Sequence, residues 1–453
     1  MPISIIHYTD IENIYDDPPH LGEFVNAVEE LKDDGTLVVG TGDNVGLGGM
    51  ALVNNGKQSI DLFEEIETDY ETFGNHDLDY GLDSILEIVA NTPQAWLNAN
   101  IYQDGEIFGR EAGVLESDIK RIENKSVGFF GLTTQETKEI SLPASSLTFR
   151  DPFKVAKQKT KQLKDKGVDY IVVLSHLGVK DDKLAREIDV DAILGGHRHK
   201  SRVDNINNTI LTRPEFNGGE VAKINLAEDT ARRYTVSNYS PDKQMTKLYE
   251  KKMSKSDLDK VLTTLKRSIS REKGLTYFGE CRIGNWVVDV YRKFTGADLA
   301  LKSSGAIRCT GRDLHGEVTY RDLINVVPFN AYVREGEVSG KELFQVCQEA
   351  DGRKIDHLDN SRWYGQVSGM KLEQTKPGGE IVPYINGEKI DLNSKYTIAA
   401  SEYEFTTDHE FPTLKQKHIT EEYDKLQYEM LSEYAKEHGI EAELDGRLDL
   451  ELN

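Results

Sequence analysis

Carboxylates, amides and imidazoles recur directly after short apolar runs in this chain. HYTDIEN carries Asp10 and Glu12, VVGTGD carries Asp43, TFGNHDLD carries Asn75, His76 and Asp79, VVLSH carries His176, and ILGGHRH carries His197 and His199. These are donors for a pair of divalent cations. Two such ions about 3.5–4 Å apart can hold a hydroxide and draw charge off a phosphoryl oxygen, which makes in-line hydrolysis possible at neutral pH. Asp43 suits the bridge between them. Asp10, Glu12 and His199 complete one ion, and Asn75, His176 and His197 the other. In GGHRH the histidines are separated by one residue, so an extended backbone points both to the same side.

His76 is then left for catalysis. Asp79 follows three residues later, a spacing that brings its carboxylate onto the imidazole once the chain turns helical. An imidazole with a carboxylate partner is more readily kept protonated. His76 therefore stabilises the phosphoryl group in the transition state or protonates the leaving oxygen. Taken singly, each of these residues reads more simply as a turn former or loop residue. Their shared position after strands is what reverses that reading.

The elements that must position them are legible. Ile3 to Ile6, Leu37 to Val39, Tyr170 to Leu174 and Ala192 to Leu194 are apolar, β-branched and bounded by Gly, Asp or Asn, the pattern of short buried strands. Ligands of open α/β sheets gather outside the carboxyl ends of the strands. Trp96 to Ile101 and Val127 to Leu132 read as further strands, and Phe153 to Lys166 as an amphipathic helix. Alternation of strands and helices runs to about Ala231. Beyond it, a lysine-rich stretch with helical spacing at Leu258, Val261, Leu262 and Leu265 reads as a linker and interdomain helix. Helices are expected at Asn285 to Phe294, Gly340 to Ala350 and Thr420 to His438.

Competing chemistries fail on their residues. VVGTGDNVG follows a strand, but Val45 stands where a dinucleotide fingerprint needs glycine, and Asp43 would repel a pyrophosphate. No Walker-type loop is present, and Ser175 beside His176 has no nucleophile-elbow context. A chain of 453 residues exceeds one core, so two domains are expected. A formal charge of −23 argues against nucleic-acid polymers and anionic membranes as partners. No run reaches transmembrane length, and Met1-Pro2 leads straight into the first strand without a signal peptide. Cys281, Cys309 and Cys347 lie far apart, outside metal spacing, as in a reducing compartment. A cytoplasmic location is the expectation.

The order of these motifs resembles the calcineurin-like metallophosphoesterase domain. ECRIGNWVVDVYRKFTGADLALKSSGAIR and GEVTYRDLINVVPFNAYV are similar to the carboxy-terminal domain of the 5′-nucleotidase family, which includes UDP-sugar hydrolases and 2′,3′-cyclic-nucleotide phosphodiesterases. The resemblance implies an α/β fold, with a four-layer metallophosphoesterase β-sandwich flanked by helices over 1–235. It further implies a linker over 236–270 and a mixed α/β substrate-binding domain over 271–453. It implies that Arg308 meets the substrate phosphate or nucleotide, that Phe329 stacks on the base, and that Tyr403 offers the opposite face. The function implied is removal of phosphate from nucleotides by a metal-bridging hydroxide, with cyclic-nucleotide phosphodiesterase or nucleotide diphosphate hydrolase activity as alternatives on the same site. A catalytically weak nucleotide sensor is the alternative of another class. The expected partner is a nucleotide or other small phosphoester, and oligomeric state stays open.

Departures from the family pattern carry their own expectations. Glu12 stands where a histidine is usual, which hardens the site and favours Mn²⁺, with Mg²⁺ or Fe²⁺, over Zn²⁺. LTYF replaces a stretch that commonly holds a phosphate-binding arginine, with Arg282 or Arg271 as candidates to substitute. Ser303 replaces an amide contact, and TTDHEFPTL replaces a glycine-rich segment, leaving Asp408 or His409 for its polar role.

Overall fold

The computed structural model describes residues 3–272, 274–309, 312–352, 362–374, 376 and 378–450. Its contacts divide the chain into two compact units, Met1–Ser256 and Asp257–Asn453.

The first unit is built on two six-stranded sheets. One runs Thr230–Thr235, Glu220–Asn225, Ser4–Tyr8, Thr36–Gly40, Tyr70–Thr72, Ala95–Leu97 in spatial order. The other runs Arg202–Ile206, Thr209–Arg213, Ala192–Gly195, Tyr170–His176, Lys125–Thr133, Asp118–Ile122. Strand period explains how they stack. Val172 and Leu174 of Tyr170–His176 turn inward, joining Phe129 and Leu194 against Ile5, Val39 and Leu97 of the first sheet. Ile171 and Val173, on the opposite face, pack against Val155, Ala156 and Leu163 of the helix Pro152–Asp165. That helix starts where Asp151 accepts the Phe153 and Lys154 N–H groups, with Pro152 at the first position. The helix Pro18–Leu31 begins in the same way, capped by Asp17.

In each sheet the central strands are parallel, Ser4–Tyr8 with Thr36–Gly40 and Tyr170–His176 with both Lys125–Thr133 and Ala192–Gly195. Their carboxyl ends therefore open on one side of each sheet, and the turns that follow carry the donor residues.

In the second unit, a five-stranded sheet has the order Gly365–Ser368, Leu299–Ser303, Lys395–Ser401, Tyr332–Ser339, Ile419–Leu426. The helix Arg282–Thr295 ends at Gly296, whose φ of 79° is a left-handed cap. Gly340–Glu349 begins with a capping box between Ser339 and Glu342. No helix among the described residues is long and apolar enough to cross a membrane.

Two expectations are corrected here. Val261–Ile269 is a strand, paired antiparallel with Leu314–Thr319, and not part of a linker helix. The helix of this region is Lys243–Lys255, which packs on Pro18–Leu31 within the first unit. Leu258, Val261, Leu262 and Leu265 fit a helical stripe, but the β-branched Thr263 and Thr264 favour the pleated alternative once a partner strand is available. Likewise Ile419–Leu426 is a strand at the sheet edge, and the late helix begins only at Gln427.

Candidate metal centre

The donor residues converge in the first unit on backbone that is unusual for them. Asp10, Glu12, Asp43 and His197 all have positive φ, at 49°, 31°, 55° and 69°. L residues adopt such conformations at a cost, and sites where ligands must be aimed are where that cost is commonly borne. The turns sustain one another: the Asp10 N–H donates to the Gly42 carbonyl (3.1 Å), and the His197 N–H to both Asp10 carboxylate oxygens (3.0 and 3.1 Å). With His197 left-handed, GGHRH bends at that residue and does not run extended as expected.

Asp10, Glu12 and His199 form one cluster of donor atoms within 4.8 Å of one another, and Asp43, His176 and His197 form a second. Asn75 joins the second through its Oδ1, 2.8 Å from His197 Nδ1. In the first, His199 Nε2 stands 3.1 Å from Glu12 Oε1 and 3.7 Å from Asp10 Oδ1. Phe216 stacks on the His199 ring with centroids 4.5 Å apart and planes 1° from parallel. His176 donates through Nδ1 to the Thr41 carbonyl at 2.8 Å, which leaves Nε2, 3.1 Å from Asp43 Oδ2, as its donor atom toward the cluster. A hydrogen-bonded Nδ1 with Nε2 aimed at carboxylates is the usual arrangement of a metal-binding imidazole.

Electrostatics match that donor set. Burial presses His176 and His199 toward neutrality, but Asp43 outweighs it for the first and Glu12 with Asp10 for the second, so each rises to about 10. Burial and the neighbouring His176 charge lower His197 to about 4. Burial would raise the Asp43 carboxyl, yet His176 and His76 hold it well below the carboxylate range. Anionic oxygens and imidazoles gathered in adjoining groups are a donor set that fits divalent cations.

His76 lies beside both groups. Its Nδ1 is 2.7 Å from Asp79 Oδ2, and Glu12, Asp43 and His76 donor atoms also fall within 4.8 Å of one another. The His76 backbone N–H donates to Asp43 Oδ1 at 2.7 Å. Sequence reasoning misses what lies underneath: Asp77, Glu71 and Asn44, all buried, which bond the turns bearing the ligands. It also misses Phe216, which no spacing marks.

In the second unit, the Arg308 guanidinium lies over the Phe329 ring, 5.1 Å from its centroid. Ser303 is buried, its N–H on Glu404 Oε1 (3.1 Å). The Tyr403 hydroxyl is 3.4 Å from His409 Nδ1. Asp408 is not brought to this group. It is exposed and pairs with Lys415, while Glu410, two residues on, turns inward to the Ser303 side chain. Burial raises the Glu410 carboxyl to about 8. Arg271 is buried and donates to the Arg308 and Asn325 carbonyls (3.0 and 2.6 Å), so it braces the turns carrying Arg308 and Phe329. Arg282 lies 3.5 Å from Glu443.

Comparison with known proteins agrees with the two-part layout. Residues 3–201 match the calcineurin-like phosphoesterase model and residues 260–416 the 5′-nucleotidase C-terminal domain model. The trifunctional nucleotide phosphoesterase protein YfkN of Bacillus subtilis is 23% identical over 98% of this chain, which spans only 35% of that relative's length. Among solved structures, a 5′-nucleotidase precursor from Thermus thermophilus superposes with a TM-score of 0.83 at 21% identity, covering 99% of both chains. The sulfate thiohydrolase SoxB of Thermus thermophilus superposes at 0.77 with 14% identity, covering 99% of this chain and 96% of its own.

Proposed function

Because the chain belongs to the family that joins a calcineurin-like phosphoesterase domain to a 5′-nucleotidase C-terminal domain, we propose that it is a metal-dependent hydrolase that removes phosphate from nucleotides. The fold alone does not choose the substrate, since one of its structural neighbours is a sulfate thiohydrolase. The reading therefore rests on the site. The observation that carries it is Asp43, grouped with His176 and His197 and also with Glu12 and His76, where Glu12 belongs to the Asp10/Glu12/His199 group and His76 is paired with Asp79.

Two divalent ions bound there would supply Lewis-acid charge and an activated water. The chain's own residues do the rest. Asp79 fixes the tautomer and direction of His76, so its Nε2 delivers a proton to the departing oxygen or a hydrogen bond to the phosphoryl group. The carboxylate of Glu12 makes the first group richer in hard oxygen donors, which favours Mn²⁺ over Zn²⁺. In the second unit, Arg308 offers a planar fork for phosphate, Phe329 and Tyr403 offer aromatic faces for a base, and Ser303 with Glu410 offers hydrogen bonds. The name of the Bacillus relative, a trifunctional nucleotide phosphoesterase, supports nucleotides as the class to test first.

The experiment is a panel of nucleoside monophosphates, cyclic nucleotides, nucleoside diphosphates and a simple aryl phosphate, each run with Mn²⁺, Mg²⁺ and Zn²⁺. Phosphate release from a nucleotide with Mn²⁺ is expected. Tight nucleotide binding with no turnover under any ion contradicts the proposal.

A further inference from the structure

Beneath Asp43 lies a second carboxylate that no ligand role explains. Asp77 is 2% exposed, and its two oxygens accept four backbone N–H groups. Oδ2 takes those of Asp43 (2.8 Å) and Gly74 (2.7 Å), and Oδ1 takes those of Asn44 and Val45 (2.9 Å each). These N–H groups belong to the two turns that deliver Asp43 and Asn75. Successive N–H groups converging on one point form a nest that calls for an anion. Placing that anion beside the Asp43 carboxylate costs electrostatic repulsion, so the arrangement needs a compensating gain.

The gain is the shape of the turn. Asp43 is held at a φ of 55°, and a Cβ on Gly74 would lie 2.1 Å from Asp43 Oδ1, so the two turns are pressed together. In this arrangement Asp43 Oδ1 receives the His76 N–H at 2.7 Å and Oδ2 faces His176 at 3.1 Å. We propose that Asp77 is a positioning residue: by anchoring the 43–45 turn to Gly74 it aims the Asp43 carboxylate between the two donor groups and so sets the affinity of the site for divalent cations. The metal-binding claim stands apart from the phosphohydrolase reading, and only its kinetic consequence rests on that reading.

Asp77→Asn tests it, because the amide keeps the volume but replaces one acceptor oxygen with an N–H donor facing two other donors. Mn²⁺ titrated into the full-length variant is expected to bind at least ten-fold more weakly than to the parent, with kcat reduced and KM for the best nucleotide within two-fold. Glu349→Gln in the second unit is the control. It weakens another buried carboxylate, which accepts the Thr413 N–H (3.1 Å) and Oγ1 (2.6 Å), and should leave Mn²⁺ affinity within two-fold. Folded Asp77→Asn with parental Mn²⁺ affinity overturns the proposal, as does an equal loss in the control. Should Asp77→Asn not fold, amide exchange on the parent decides: Asp43, Asn44, Val45 and Gly74 are expected to be protected before Mn²⁺ is added, and unprotected amides there overturn it. A parent that binds Mn²⁺ but hydrolyses no ester sinks the phosphohydrolase reading and leaves these arms intact.

Discussion

Loading the site with Mn²⁺ should expel protons, because two of its imidazoles are held protonated by the carboxylates they face. A metal-binding imidazole must be neutral at the ligating nitrogen. His176 and His199 each rise to about 10 beside carboxylates at 3.1 Å, so at pH 7.5 both hold a proton where an ion would bind. His197, lowered to about 4, has already lost its own, and Asp43 and Asp10 are held below the usual carboxylate range. The imidazoles therefore release about two protons on full loading, in addition to the one the activated water gives up. Each imidazole deprotonation costs about 3 kcal/mol at that pH, and the imidazoles' share makes overall log affinity climb by about two per pH unit until it levels near pH 10. Titration calorimetry in buffers of different ionisation enthalpy counts those protons directly. Replacing His199 with Ala should lower the count by about one, while His197→Ala should weaken binding and leave the count unchanged. A count of zero in the parent, or a proton lost from the count in His197→Ala, refutes the reasoning.

Other outcomes follow from single contacts. Glu12→His should move the ratio of Zn²⁺ to Mn²⁺ affinity upward by ten-fold or more, measured by chelator competition, because an imidazole replaces a hard oxygen. Lys302 and Glu404 form a buried pair at 3.1 Å, so Glu404→Gln leaves an uncompensated ammonium and should cost the second unit about 3–5 kcal/mol in denaturant unfolding. Glu410, raised to about 8 by burial, keeps a proton that the unfolded chain releases above its ordinary value of 4.5. Its contribution to stability therefore declines as pH rises from about 4.5 to 8 and levels beyond, and Glu410→Gln should flatten that slope in thermal melts.

The ligand-bearing turns are legible because side-chain chemistry and strand ends are both written in residue type. Buried apolar runs ending in Asp, Asn or His mark Ser4–Tyr8, Thr36–Gly40 and Tyr170–His176 with little ambiguity. What stays hidden acts through the backbone or through space. Asp77 looks like one more polar residue after His76, since the N–H groups it collects have no sequence signature. Phe216 reaches His199 only through the path of the intervening hairpin, Arg202–Ile206 with Thr209–Arg213. Asp408 and Glu410 are equally acidic on paper, and only the turn between them decides which faces Ser303. The strand Val261–Ile269 reads as helix in sequence because its apolar spacing serves both periods, and the choice is made by Leu314–Thr319, about fifty residues away.

The most direct test of the account is a His76→Asn comparison on Mn²⁺-loaded protein, reading phosphate release and bound metal together. The parent should release phosphate from a nucleotide, and the variant should keep parental Mn²⁺ stoichiometry while turnover falls by about 10²–10⁴-fold. Turnover unchanged in the variant, or lost only together with the metal, would contradict a catalytic His76 standing outside the metal ligands.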